Sequence, residues 1–136
     1  MNVCVLGCGA IFENIYLPEL HKLKTIEKIY CIDLSQERLE YVSSLSTKVI
    51  AFGADYQALL KQTGISGVII ATPPAYHYQN LTDWLECDIP ILCEKPFTET
   101  YEEAVKIQLI ANKKNVPILI NNNRRYAPSM KGVKSA

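Results

Sequence analysis

Six apolar runs of strand length recur along the chain, at residues 2–6, 26–33, 48–52, 67–72, 89–93 and 116–121, and helix-period segments with short connections separate them. Antiparallel neighbours need only a hairpin, whereas parallel ones need a crossover of about a dozen residues or more, and such crossovers are right-handed. The alternation therefore predicts an α/β fold, a doubly wound parallel sheet of six strands in the order 3-2-1-4-5-6. The run at 67–72 is unbroken, as in a strand covered on both faces, and Pro73 and Pro74 stop it. Helices are expected at 11–24, 35–45, 76–87 and 101–113, with a shorter one that holds Leu59 and Leu60 behind an Asp55 cap. Leu39, Val42 and Leu45 mark one inward face, and Leu81, Trp84 and Leu85 another. Thr100 and Glu103 have the spacing of a capping box, and Pro18 is expected to kink or split the first helix.

The first strand breaks into its helix through Gly7-Cys8-Gly9-Ala10-Ile11-Phe12. Gly7 can take backbone angles closed to other residues, and Gly9 leaves room for a pyrophosphate to approach the main chain. The unpaired N–H groups of the following helix face that charge. A glycine pair also serves ordinary tight turns, so a second signal is needed. Asp33 supplies it by ending the second run 21 residues after Phe12, close to the spacing at which a carboxylate reaches an adenosine ribose. The same residue is placed to cap the helix that starts at Ser35 and Gln36. Together the two segments point to a bound dinucleotide. In the predicted order the segments 7–9, 72–74, 94–96 and 121–125, with Asp33, all fall at the carboxyl ends of strands, near the switch between strands 1 and 4.

At 136 residues the chain fits one domain with one core. Its 14 lysines and arginines balance its 14 aspartates and glutamates, with no basic stripe, which argues against nucleic acid or an anionic membrane surface as the main partner. No apolar run approaches the ~18 residues that span a bilayer, and Met1 leads straight into a strand, so a soluble, cytoplasmic protein is expected. The five cysteines form no Cys-x-x-Cys pair and only two histidines accompany them, so no metal site is expected. Cys4, Cys31 and Cys93 lie in strands, where a reduced thiol packs as a small apolar group; Cys8 is expected to fill space in the glycine turn.

Four segments acquire a common meaning at this point: Gly7-Cys8-Gly9-Ala10-Ile11; Ala71-Thr72-Pro73-Pro74 with His77; Cys93-Glu94-Lys95-Pro96 with Thr100, Glu103 and Ala104; and Asn123-Arg124-Arg125-Tyr126 with Pro128. Together they resemble the glucose-fructose oxidoreductase and inositol 2-dehydrogenase family (Gfo/Idh/MocA), over nearly the whole chain, with Glu-Lys-Pro the most specific element. The resemblance implies an N-terminal Rossmann domain of an oxidoreductase that acts with NAD(P) on sugars, cyclitols and related polyols. It assigns the pyrophosphate to Gly7, Gly9, Ala10 and Ile11, and the adenosine side to Thr72, Pro73 and His77. Glu94 and Lys95 would lie by the nicotinamide ribose and the reacting carbon, with Lys95 as the catalytic cation, and Arg125 near the nicotinamide end. Glu94 either binds ribose or pairs with Lys95, and His21 has no expected role.

Departures from the family pattern carry expectations of their own. Phe12 stands where a third glycine or alanine usually lets helix pack closely on strand, so the helix is expected to tilt outward. Asp33 followed by Leu34 favours NAD over NADP, because the carboxylate repels a 2′-phosphate and position 34 holds no arginine, although Arg38 follows one turn later. The Lys95–Pro96 bond is expected to be cis. The family's aspartate–histidine proton relay has no counterpart here. The expected organisation is a cofactor domain over 1–121, then at 122–136 the start of a crossover toward an absent C-terminal substrate domain, with little turnover from the chain alone. An apolar surface around strand six and Tyr126 would then favour self-association. A non-catalytic module that binds NAD(H) or another adenine nucleotide for regulation is the alternative reading.

Overall fold

The computed structural model describes residues 1–62 and 64–122. Its strands are β1 (Asn2–Leu6), β2 (Lys28–Ile32), β3 (Val49–Gly53), β4 (Ile65–Ile70), β5 (Ile91–Glu94) and β6 (Ile118–Asn121). They form one sheet in the order β3-β2-β1-β4-β5-β6, every pair parallel. The helices are α1 (Leu17–Lys22), α2 (Gln36–Leu45), α3 (Gln57–Leu60), α4 (Pro74–Leu85) and α5 (Tyr101–Lys114), and a π-helical segment, Phe12–Tyr16, precedes α1.

The central strands are apolar on both sides because both sides are covered. Val5, Ile29, Cys31 and Ile69 point to the layer of Phe12, Tyr16, Leu17, Leu39 and Val42. Their neighbours Cys4, Leu6, Ile32, Val68 and Ile70 point to Leu81, Trp84, Leu85, Ile107 and Ala111. This period-two division between two helical layers is what a strand pattern with no polar face encodes. Burial pushes the Cys4 and Cys93 thiols up, Cys93 to about 12, so both stay protonated as packing groups. Cys31 is raised first by its hydrogen bond with Cys8 and then by burial, and Cys8 itself is fully buried.

Several boundaries move for identifiable reasons. β5 starts at Ile91 rather than 89 and β6 at Ile118 rather than 116, because Pro90 and Pro117 precede them and carry no N–H for the ladder. Val116 belongs to the exit from α5, where Asn115 is left-handed (φ 55°) and the Val116 N–H returns to the Ala111 carbonyl at 3.0 Å. β4 runs from Ile65 to Ile70, and α4 begins at Pro74, a residue that loses nothing as the first of a helix. Leu45, expected on the inward face of α2, is exposed, since the helix ends there.

Phe12 is fully buried in the layer with Val5, Ile29 and Cys31, and the segment that begins with it, Phe12–Tyr16, is a π-helix rather than an α-helix. Pro18 lies two residues past the π-helical segment, inside a helical run that continues from residue 10 to residue 22, so the first helix is irregular as expected but is not split into two pieces. Thr100 accepts the Glu103 N–H at 3.2 Å, and Glu103 reaches back to the Glu99 N–H at 3.2 Å, one residue beyond the ordinary capping box.

Candidate functional site

Gly7 is required twice over. Its φ is +87°, and a Cβ built on it would lie 2.5 Å from the Ala71 carbonyl oxygen and 2.8 Å from the Thr72 nitrogen. The turn is pressed against the end of β4, with the Gly7 N–H bonded to the Ile32 carbonyl at 2.8 Å. Gly9 is the opposite case, because a Cβ there would meet nothing within 4 Å. It borders open space, and Ala10 and Ile11 beside it are exposed. The first N–H groups of a helix have no partner within it, so this space is suited to an anion.

That space belongs to a cavity of about 580 Å³ at the carboxyl ends of β1, β2 and β4. Gly7, Gly9, Asp33, Leu34, Thr72 and Pro73 are among the residues that line it. Asp33 does not cap α2, since Ser35 does so by accepting the Arg38 N–H at 3.1 Å. The Asp33 Oδ1 accepts the Ser35 N–H at 2.8 Å at the entrance to α2, its Oδ2 accepts the Cys8 N–H at 2.8 Å, and the carboxylate stays on the cavity wall. Arg38 donates Nε–H to the Cys8 carbonyl and a terminal N–H to Glu13, and its guanidinium lies 5.1 Å from the centre of the Tyr41 ring.

The far wall carries a polar chain that local sequence patterns do not reveal. Thr72 donates its hydroxyl to Asn80 at 2.7 Å, Asn80 donates Nδ2–H to the Tyr56 oxygen at 3.1 Å, and Tyr56 donates to Asp83. Burial, then the bond to Asp83, pushes the Tyr56 hydroxyl up to about 12, so it remains a donor, and its ring packs 5.9 Å from that of Trp84. Tyr56, Tyr76 and Asn80 all line the cavity. His77 corrects the expectation of a cofactor contact. It is fully buried, with Nδ1 2.7 Å from the Pro96 carbonyl and Nε2 2.7 Å from the Thr72 carbonyl, and so braces two loops rather than facing the cavity.

Glu94 and Lys95 part company at the end of β5. Glu94 is buried; its Oε1 accepts the Tyr16 hydroxyl and the Asn121 Nδ2–H, the latter at 2.6 Å. Asn121 also donates to the Tyr16 oxygen at 2.8 Å. Burial first, then the Glu94 bond, holds the Tyr16 phenol protonated well above its usual range. Lys95 is exposed beside a cis Lys95–Pro96 bond, and Glu94 is bonded to Tyr16 and Asn121 rather than to it. Asn121 opens the marked segment 121–125, but Tyr16 belongs to no motif, and with 105 positions between them no local pattern joins the two. Tyr16→Phe is expected to lower unfolding free energy by about 1–2 kcal/mol in a urea titration, because Glu94 loses one of its two buried donors. An unchanged midpoint would show that the hydroxyl is dispensable to the cluster. Arg125 and Tyr126 lie outside the described residues, while Leu119 and Ile120 of β6 are exposed.

Comparison with known proteins agrees with this geometry. Residues 1–122 match the family model of the Gfo/Idh/MocA oxidoreductases, described as an oxidoreductase family with an NAD-binding Rossmann fold. An uncharacterised oxidoreductase of Schizosaccharomyces pombe is 40% identical over 127 residues, 93% of this chain and 34% of its own length. An inositol 2-dehydrogenase of Renibacterium salmoninarum is 31% identical over 110 residues, 79% of this chain and 32% of its own. The crystal structure of apo scyllo-inositol dehydrogenase from Lactobacillus casei superposes with a TM-score of 0.86 at 18% identity, over 99% of this chain and 40% of that one, a likeness of fold alone. The chain thus spans about a third of the length of the curated relatives it matches. With the strand order, the glycine turn and the acidic end of β2 in agreement with that match, the chain belongs to the Gfo/Idh/MocA oxidoreductase family and forms its NAD-binding Rossmann domain.

Proposed function

We propose that this chain carries the cofactor site of an enzyme that moves a hydride between NAD(H) and a sugar, cyclitol or related polyol. The observation that supports it best is the meeting, in one cavity, of open space over Gly9 and the Asp33 carboxylate. In this reading Gly7, Gly9, Ala10 and Ile11 receive the pyrophosphate, and Asp33 accepts the adenosine ribose hydroxyls while it keeps its bond to Cys8. Thr72 and Pro73, with Tyr56 and Asn80, border the adenosine. Glu94, oriented by Tyr16 and Asn121, stands by the nicotinamide ribose, and Arg125 by the nicotinamide end.

Bound NAD supplies the hydride acceptor. Lys95 orients the substrate hydroxyl and stabilises the oxyanion that develops as its proton leaves. The remaining substrate contacts and the proton relay belong to a second domain, consistent with relatives about three times as long. The apolar side chains of Leu119 and Ile120 offer that domain, or a second copy, a surface to pack on. Five free cysteines fit a reducing, cytoplasmic setting, and no helix among the described residues is long and apolar enough to cross a membrane.

Titration with NADH, NADPH and ATP tests the cofactor reading. NADH is expected to bind at least about tenfold more tightly than NADPH, a difference of about 1.4 kcal/mol. ATP binding at the strength of NADH would favour a nucleotide sensor, and no binding of any of the three would end both readings. In the protein that turns over a polyol, Lys95→Ala is expected to cut kcat by roughly 10²–10³ with NADH affinity kept within a few fold. Full activity in that variant would remove Lys95 from the chemistry.

A further inference from the structure

The ion pair between Arg38 and Glu13 joins the first turn of α2 to the segment that follows the glycine turn. Arg38 is the first cation after the acidic end of β2 in the chain, and the Cys8 peptide fixes where its side chain lies. The Cys8 N–H is bonded to Asp33 and the Cys8 carbonyl to Arg38, so carboxylate and guanidinium sit on the two ends of one residue. A guanidinium there is within reach of whatever the Asp33 carboxylate holds. Two of its five N–H donors are committed, and they fix the orientation of the group. One edge goes to Cys8 and a terminal N–H to Glu13; Tyr41 lies against the plane and donates its own hydroxyl to the other Glu13 oxygen at 2.9 Å. The hydrogen bond from Arg38, and then that from Tyr41, hold the Glu13 carboxyl below its usual range, so Glu13 stays charged at neutral pH.

A 2′-phosphorylated adenine dinucleotide differs from its unphosphorylated form by a group of nearly two negative charges on the ribose. Such a group is held by an arginine fork, and the fork must be free to take it. Beside Arg38 is a hollow of about 390 Å³, lined also by Ser35, Glu37 and Tyr41, while the pair with Glu13 offsets the guanidinium charge and holds one terminal N–H turned away from it. We propose that Glu13 is a specificity-determining residue: by occupying Arg38 it keeps that guanidinium from clamping a 2′-phosphate, and so closes the ribose end to phosphorylated dinucleotides. This goes beyond the repulsion by Asp33 and rests on the reading that Asp33 borders an adenosine ribose.

The test is a set of NADH and NADPH titrations on the wild-type chain, Glu13→Gln, Arg38→Gln and the double variant. Glu13→Ala serves as a second release of Arg38, and circular dichroism monitors folding. Glu13→Gln is expected to lower the ratio of NADPH to NADH dissociation constants by about tenfold at low salt. The gain should shrink above about 0.5 M salt, since it depends on the attraction of a partly exposed guanidinium for the phosphate. Arg38→Gln in the Glu13→Gln background is expected to cancel the gain, which separates release of this guanidinium from simple loss of a negative charge. NADH binding with a ratio unmoved by either Glu13 variant would overturn the proposal alone, as would a gain that persists without Arg38. Failure of all the folded proteins to bind either nucleotide would overturn the dinucleotide reading and this proposal with it.

Discussion

Alanine at position 7 is expected to lower unfolding free energy by about 2–5 kcal/mol and to abolish measurable NADH binding. Two penalties add. A φ of +87° is unfavourable for any residue with a Cβ, by about 1–2 kcal/mol. The new methyl would also overlap the backbone of Ala71 and Thr72, which, unlike a side-chain tip, cannot swing aside, and overpacking of this kind costs about 1–3 kcal/mol. The strain falls on the junction where the Ala71 N–H meets the Leu6 carbonyl at 2.7 Å, the last bond between β1 and β4. Gly9→Ala provides the contrast: it meets no protein atom, so thermal unfolding should be nearly unchanged while NADH affinity falls, because the methyl would enter the space proposed for the pyrophosphate. Thermal melts and NADH titrations of the two variants read both effects. Equal loss of stability in the two would show that the turn's role is structural at both glycines.

Phe12→Ala is expected to be about as damaging to the fold, at roughly 3–5 kcal/mol, even though it brings position 12 closer to the usual dinucleotide fingerprint. The phenyl ring is fully buried with Val5, Cys8, Leu39 and Val42, and its removal leaves a cavity that the π-helical segment was shaped to fill. Phe12→Leu should cost less, because most of the volume stays. A urea titration of the two against the wild type measures the difference. A gain in stability with alanine would mean that the helix can settle closer onto β1 and that the π-helix is strained.

The architecture was legible because its signals are local. Apolar runs report strands, 3.6-residue spacing reports helices, and strict alternation leaves few topologies once crossovers must be right-handed. Even Pro90 and Pro117 carried, in the sequence, the information that shortens β5 and β6. The site was legible only where one residue or one short turn carries it. Gly7, Gly9, Asp33, Thr72 and Pro73, which their motifs put at strand ends, line one cavity there, and Ala10 and Ile11 are not in its lining. His77 belongs to the same motif as Thr72, yet its ring turns inward to two carbonyls, since a buried imidazole takes whatever partners the packed loops offer.

What the sequence determined by itself is the parallel sheet, its strand order and the edge at which the marked residues gather, all of which follow from patterns shorter than about 15 residues. Only the tertiary structure decided the polar groupings around that edge. Tyr16 meets Asn121 and Glu94, Tyr56 meets Asn80 and Asp83, and Glu13 takes Arg38. A hydrogen bond needs its donor and acceptor within about 3 Å in a fixed direction. That condition is set by where separate elements pack, and no spacing along the chain encodes it.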